Sequence, residues 1–408
     1  MTQLRNIVVI GGGPAGVMAA IEAKRRTPDA EVTLLSEEAG EPYEKPPLSK
    51  AVLLGKAQPE QAPIAGPGGT AAHKVVLVGT ALCTAIDRTA REVVTASGRR
   101  YAYDALVLAT GSAVRELPQL PFGMERVHYL RTEADARRLA AALRQCKALI
   151  VIGGGLIGLE AAASAAELGV KVAVLEVAPR ILARVCDEDT AAVIAEEHRR
   201  HGVALHTGTA IAQVRSTGDG IAIETGAGET IAADHVLVGV GVEPNDALAA
   251  AAGLATANGI VVDEQCRTSD AAIFAAGDAT SLPGPYGPVR LENWRHAQDH
   301  GAVAGRNAAG AGESYRTVPS FWSEQYDLYI QGLGWPSPQA GTHIRRPLPA
   351  KSRLVFEIAN GVLVGALGIN AQRDIAAARR LIERRIAVDA AALADPSRPL
   401  ASLLKATA

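Results

Sequence analysis

The sequence predicts an α/β protein: two similar parallel-sheet units, followed by a smaller α+β unit. Three observations carry this. A short apolar strand, a glycine turn and an alanine-rich helix follow one another at Ile7-Val8-Val9-Ile10 and Gly11-Gly12-Gly13-Pro14-Ala15-Gly16. The same succession recurs at Leu149-Ile150-Val151-Ile152 and Gly153-Gly154-Gly155-Leu156-Ile157-Gly158. Unbroken apolar strands of this kind suit a parallel sheet covered on both faces. Beyond about residue 323 the pattern changes to short strands around Asn360-Gly361, a dipeptide that favours a tight hairpin.

Taken in order, the first unit reads as strand 6–10, helix 14–26 and strand 31–35, which ends at Ser36-Glu37-Glu38. A proline-rich loop occupies 41–50, short strands fall near 74–78, 82–87 and 92–95, and a strand over 103–111 ends in Ala109-Thr110-Gly111. In the second unit, helix 156–168 is closed by Gly169, strand 171–175 leads to Glu176, and 234–241 mirrors 104–111. The apolar run Ile273-Phe274-Ala275-Ala276 delivers Gly277-Asp278. Near the end come strands 353–358 and 363–367, a helix over 375–385 and a loosely ordered tail.

Both turns fit Gly-x-Gly-x-x-Gly, the Rossmann-like signature of a dinucleotide site. The first glycine makes the turn, the second admits a pyrophosphate to the backbone, and the third packs helix on strand. The phosphates then meet unpaired amides at the helix N-terminus. Glu37 or Glu38, and Glu176, lie about 20 residues on, where a ribose diol calls for a carboxylate. Two cradles imply two dinucleotides and electron transfer between them.

Bulk properties narrow the reading. The 408 residues carry a net charge of −2, so nothing points to nucleic acid or an anionic membrane surface. No apolar run reaches the ~18 residues of a spanning helix. The start, Met1-Thr2-Gln3-Leu4-Arg5, passes straight into a strand, so a cytoplasmic protein without a cleaved leader is expected. Cys83, Cys146, Cys186 and Cys266 are scattered, which predicts no metal or iron–sulfur ligation and argues against a redox disulfide.

Beyond these features, Pro42-Tyr43-Glu44-Lys45-Pro46-Pro47-Leu48-Ser49-Lys50, Leu108-Ala109-Thr110-Gly111-Ser112, Tyr129-Leu130-Arg131-Thr132 and Val238-Gly239-Val240-Gly241-Val242-Glu243-Pro244-Asn245 occur in order. They are followed by Ala275-Ala276-Gly277-Asp278, Arg290-Leu291-Glu292-Asn293-Trp294 and Phe321-Trp322-Ser323-Glu324-Gln325-Tyr326-Asp327. With this ordered set the chain resembles the FAD-dependent ferredoxin reductases of bacterial oxygenase systems, the family of putidaredoxin, rubredoxin and biphenyl dioxygenase reductases. The resemblance implies a glutathione-reductase-like fold: an FAD domain in two parts (1–112 and 244–322), an NAD domain (113–243) and a C-terminal α+β domain (323–408).

The resemblance also implies roles. Non-covalent FAD would lie on Gly11, Gly13, Pro14, Ala15 and Gly16, with Glu37 or Glu38 at its ribose. Ala109, Thr110 and Gly111 would bring backbone close to it, Cys83 would touch the adenine side, and Lys45 and Arg131 would supply positive charge. Lys45 departs from the family's usual arginine, exchanging a planar fork for a point charge. Asp278, after Gly277, would accept from the ribityl hydroxyls. Asn293, Trp294 and Trp322 belong to the flavin-facing motifs, the tryptophans walling the ring. Lys50 would sit at the reactive edge of the flavin, paired with Glu160 on the first turn of the second helix.

NADH would occupy Gly153, Gly155, Leu156, Ile157 and Gly158. Glu176 favours NADH over NADPH because a carboxylate repels a 2′-phosphate. Arg180 and Arg184 qualify that preference, and Gly239 would admit the nicotinamide. The implied acceptor is a small [2Fe–2S] ferredoxin or a rubredoxin. Residues 323–408 hold 11 Lys and Arg against 7 Asp and Glu, so an acidic carrier could dock through Arg295, Arg345, Arg346 and Lys351. An NADH oxidase or disulfide reductase on a similar scaffold is the alternative, but Pro46-Pro47-Leu48-Ser49-Lys50 stands where those enzymes place a redox cysteine. A non-catalytic NADH-binding module is the third reading.

Overall fold

A computed structural model describes residues 4–335, 341–349 and 351–405; the expectations for Met1-Thr2-Gln3 and the last three residues lie outside this range. Two five-stranded parallel sheets share one construction. The first runs Ile273–Ala275, Ala105–Leu108, Asn6–Ile10, Glu31–Leu35, Val76–Val78 in spatial order. The second runs Val127–Tyr129, His235–Val238, Ala148–Ile152, Lys171–Glu176, Ala204–Thr207. In each, the central strand feeds a glycine turn and a helix, Pro14–Arg26 or Leu156–Glu167. The strands expected over 103–111 and 234–241 are therefore shorter, because their last residues leave the ladder to form the loops above the cradles.

Each unit adds a three-stranded antiparallel meander, 83–102 in the first and 211–233 in the second. The chain passes from one unit to the other through Ser112–Val114 and returns through Val242–Pro244, and these two crossings pair antiparallel. The returning chain then supplies Ile273–Ala275 and the helix Trp294–Ala308 to the first unit. That helix lies unusually close to Pro14–Arg26. A Cβ on Gly301 or Gly305 would stand 2.1 Å from the carbonyl oxygen of Ala15 or Ala19, so glycine is what allows the two backbones to touch.

The last unit is a five-stranded antiparallel sheet, in spatial order Ser320–Gln325, Leu328–Gly334, Val362–Ile369, Arg353–Ala359, Thr342–Arg345. The boundary expected at 323 falls inside its first strand. Asn360 and Gly361 take φ of 52° and 73°, the left-handed pair a two-residue hairpin turn needs. Helix Gln372–Glu383 packs Ile375, Ala378 and Leu381 onto this sheet. The tail is not loosely ordered as expected. Ala390–Ala394 and Leu400–Lys405 fold back, burying Leu393, Leu400 and Leu403 in the same core. A second core joins Leu48 of the proline loop and Leu53 just after it, Leu159 and Ala162 of the second glycine helix, and Leu328 and Ile369 of the last sheet. All three units meet there.

Candidate functional site

The two cradles divide their glycines into two kinds. A Cβ on Gly11 would lie 2.1 Å from the Ala109 carbonyl oxygen, and one on Gly16 would lie 1.8 Å from that of Gly11. Likewise Gly153 meets Gly239 at 2.4 Å and Gly158 meets Gly153 at 2.4 Å. These four are required by the fold. The middle glycines are not: Gly13 and Gly155 have ordinary extended backbones, with φ of −82° in both. A Cβ on either would have nothing within 4 Å. Each caps a helix without a side-chain hydrogen bond, so open space lies against unsatisfied amides, which suits a pyrophosphate. Pro14, Ala15, Leu156 and Ile157 form the first turns of the two helices.

Around the first cradle, Asp278 follows Gly277, which takes φ of 77°. A carboxylate oxygen of Asp278 accepts from Ser112 Oγ at 3.1 Å and lies 3.5 Å from the Arg131 guanidinium. Arg131 also donates to the Ser112 carbonyl at 2.9 Å, while Gly111 lies beneath its guanidinium. Thr110 is tied to Asn245 by bonds of 2.6 and 2.9 Å. Lys45 Nζ donates to Glu38 at 2.8 Å, and burial holds the Lys45 ammonium below its usual pKa. The other Glu38 oxygen accepts from Tyr43, whose hydroxyl also takes the Glu133 amide proton. Both Glu38 oxygens are thus engaged, by Lys45 and Tyr43, while Glu37 is exposed.

Ser36, not an acid, occupies the place in the first unit that Glu176 holds in the second. Each follows the strand residue whose carbonyl accepts from the first cradle glycine, at 2.8 Å in both units. Cys83 opens a meander strand, half-buried. Asn293 caps the helix Trp294–Ala308 by accepting from the His296 amide at 2.9 Å. Trp294 and Trp322 stand edge to face, ring centroids 5.3 Å apart, and the Trp294 indole N–H donates to Glu44.

Lys50 and Glu160 meet as expected, Nζ to Oε2 at 2.9 Å. Glu160 lies one residue past the first helical turn and is buried, 3% exposed. It does not act as a terminal helix charge in solvent. Its Oε2 also accepts from Ser49 Oγ, and Oε1 accepts from Ser323 Oγ at 2.6 Å. One carboxylate therefore ties the proline loop, the second glycine helix and the last sheet. Sequence reasoning missed Ser49, Ser323, Tyr43 and Ser112. Each is a small or hydroxyl-bearing residue inside a motif already singled out, but only spatial closure shows its partner.

At the second cradle, Glu176 accepts from the amides of Gly154 at 2.6 Å and Ala178 at 2.7 Å, which fixes the carboxylate at the turn. Arg180 is spent on the carbonyls of Leu182 and Ala183 at 3.3 and 3.2 Å. Arg184 is exposed beside Gly241. Gly239 has room for a Cβ, its nearest neighbour being 3.6 Å away; the close contact here is between its carbonyl and Gly153.

All four cysteines are free. Burial pushes the thiols of Cys83 and Cys186 up to about 12 and that of Cys146 up to about 11. A thiolate nucleophile needs the opposite shift. No group of His, Cys, Asp and Glu among the described residues could hold a metal ion, and none of their helices is long and apolar enough to cross a membrane.

Of the four cations expected at a docking patch, Arg346 is buried and the other three are exposed or partly exposed but paired with acids. Arg346 is 5% exposed and donates to the carbonyls of Leu393 at 2.9 Å and Arg398 at 2.6 Å. Arg345 pairs with Asp189, and Lys351 pairs with Glu197 at 2.9 Å and Asp327 at 3.0 Å. These cations hold the last sheet to the helix Glu188–Arg200. Arg295 pairs with Asp299 on its own helix at 3.0 Å.

Residues 5–301 match the pyridine nucleotide-disulphide oxidoreductase family, and residues 320–404 match the reductase C-terminal family. The chain is 39% identical to the anthranilate 1,2-dioxygenase system ferredoxin–NAD(+) reductase component of Burkholderia cepacia, over 97% of this chain and 98% of that one. It is 37% identical to rhodocoxin reductase of Rhodococcus erythropolis, over 92% of this chain and 89% of that one. Among solved structures, the reductase in the covalent putidaredoxin reductase–putidaredoxin complex superposes with a TM-score of 0.93 at 33% identity, with 98% of each chain covered. The chain belongs to the pyridine nucleotide-disulphide oxidoreductases and, within them, to the ferredoxin reductases of oxygenase systems.

Proposed function

We propose that this chain oxidises NADH and passes the electrons, through non-covalently bound FAD, to a small [2Fe–2S] ferredoxin or a rubredoxin that serves an oxygenase or a cytochrome P450. The observation that carries this reading is the lysine ammonium of the proline loop held by a buried carboxylate of the second glycine helix, while burial raises the pKa of all four thiols, away from the thiolate a redox cysteine needs. The relatives, ferredoxin–NAD(+) reductase components and a putidaredoxin reductase, support the same class.

FAD would rest on 1–112 and 244–322, NADH on 113–243, with 323–408 closing the site. Bound FAD supplies the conversion of a hydride into electrons released singly. The protein's residues do the rest. Gly13 and Gly155 leave room for the two pyrophosphates, and the helix amides behind them satisfy phosphate charge. Glu176 accepts from a ribose diol and disfavours a 2′-phosphate, so NADH is preferred. Asp278, Arg131 and Lys45 line the first cofactor's path, and Lys50 places a positive charge beside the redox-active edge, where reduction builds negative charge. Trp294 and Trp322 wall the ring site and exclude water. A cytoplasmic location fits a donor drawn from the NADH pool and four unpaired cysteines.

The experiment is direct. The purified protein should be yellow, bleach with NADH under argon, and reduce cytochrome c rapidly only when a ferredoxin is added. Rapid oxygen consumption without a carrier would favour an oxidase, and a failure to bleach would favour a binding module.

A further inference from the structure

A line of buried polar groups leads away from Glu160 that the reaction as described does not use. Ser323, Gln325 and His198 are 0%, 1% and 0% exposed. Glu160 Oε1 accepts from Ser323 Oγ at 2.6 Å, and Gln325 Nε2 reaches that Oγ at 3.1 Å. The Gln325 carbonyl oxygen lies 2.9 Å from His198 Nε2, and His198 Nδ1 lies 3.3 Å from the Tyr326 hydroxyl. Tyr326 stacks on His201 at 3.7 Å, near the surface.

The carboxylate end fixes the direction of every bond. A carboxylate only accepts, so the single Ser323 proton goes to Glu160 and the Ser323 oxygen must accept from the Gln325 amide. That orientation turns the Gln325 oxygen toward His198, which donates from Nε2. Burial holds His198 below its usual pKa, so the neutral ring leaves Nδ1 to accept from Tyr326. His198 belongs to the helix Glu188–Arg200, while Ser323 and Gln325 belong to the first strand of the last sheet. The network thus connects the carboxylate that holds Lys50 to a contact between units.

We propose that Ser323 is a positioning residue for the Lys50–Glu160 pair, and that Gln325 and His198 fix the direction of its hydroxyl. With Ser323 in place, one Glu160 oxygen is satisfied by a neutral donor, and Lys50 shares only the other oxygen, with Ser49. Without it, the buried carboxylate draws Lys50 inward to cover both oxygens. The ammonium then retreats from the cofactor edge, and the reduced cofactor loses electrostatic support. This rests on the function proposed above.

The test is the two-electron midpoint potential of the bound flavin in the holoprotein, measured by spectroelectrochemistry. Ser323→Ala should lower the equilibrium constant for flavin reduction by NADH about tenfold, a potential about 30 mV more negative, at unchanged FAD content. Ser323→Thr, which keeps the hydroxyl, should hold the unaltered value. Gln325→Met should shift the potential in the same direction by less, and it carries the test alone if Ser323→Ala gives no holoprotein. A loss of thermal stability with potentials equal to that of the unaltered protein would overturn the proposal and leave Ser323 merely structural. Failure of the unaltered protein to bind FAD would instead sink the functional reading, and this proposal with it.

Discussion

Gly13 and Gly155 are the two positions where the fold and the function make different demands. Gly11, Gly16, Gly153 and Gly158 are needed because backbone crowds them, whereas these two face open space in an ordinary extended conformation. Gly13→Ala and Gly155→Ala should therefore fold with an unchanged circular dichroism spectrum and, compared as apoproteins so that bound cofactor does not contribute, with about the same melting temperature. Gly13→Ala should lose most bound FAD, because its methyl would enter the space allotted to the pyrophosphate. Gly155→Ala should keep FAD and raise the KM for NADH about tenfold or more. If Gly11→Ala and Gly13→Ala proved equally destructive to folding, the division would be wrong. These two glycines were legible in the sequence as members of a motif. Their distinct status was not, because it depends on which carbonyls lie overhead, Ala109 and Gly239, about a hundred residues further along the chain. Glu160 shows the same limit. The family resemblance implied its pairing with Lys50, but its burial and its third donor, Ser323, appear only when two distant segments close on it.

At the scale of elements, the helix Trp294–Ala308 does more than cover the first sheet. It carries His296 and His300, both buried, the latter held down to about 3 by burial and the former lowered in the same direction. His300 Nδ1 accepts from the Gly277 amide at 3.2 Å, so this imidazole supports the turn that presents Asp278. His296 Nδ1 lies 2.8 Å from the Tyr315 hydroxyl. Both rings are neutral in the folded protein, whereas the unfolded chain takes up a proton on each below pH about 6.5. The unfolded state binds more protons there, so stability must fall as the pH drops below that value. The loss is roughly 1.4 kcal/mol per imidazole between pH 7.5 and 5.5. His300→Asn keeps a side-chain acceptor without a titrating group and should remove one imidazole's share of that slope when stabilities are compared across the range, the remainder coming from His296 and from His128, His198 and His235, which burial also lowers. An unchanged slope would move the acid sensitivity elsewhere. The strand–turn–helix order of both cradles and the hairpin at Asn360-Gly361 were legible because each has a local physical cause, a period or a φ requirement. The ends of the strands after Leu108 and Val238, and the packed tail, were not, because they are decided by tertiary contacts.

At the scale of the molecule, cations near the C-terminal end that suggested a docking surface instead join parts of the structure to one another. An excess of arginine and lysine near the C-terminal end invited a docking patch, since charge sign is visible in a sequence and burial is not. In the structure the tail returns under Arg346, whose guanidinium satisfies two carbonyls there, while Arg345 and Lys351 bridge to acids of the helix Glu188–Arg200. The same helix carries His198, so this joint borders the network that ends on Glu160. Loss of the joint should therefore be felt as mobility of the tail before any change in encounter with a carrier. Arg346→Met should free 390–405 and give early cleavage there in limited proteolysis, since the buried carbonyl of Leu393 loses its donor and the bond to the Arg398 carbonyl is lost with it. The contrast is Arg295→Glu, whose partner Asp299 lies on an exposed helix face. That substitution should leave proteolysis unaltered. A tail equally resistant in both variants would mean that the apolar contacts of Leu393, Leu400 and Leu403 suffice, with Arg346 only filling space above them.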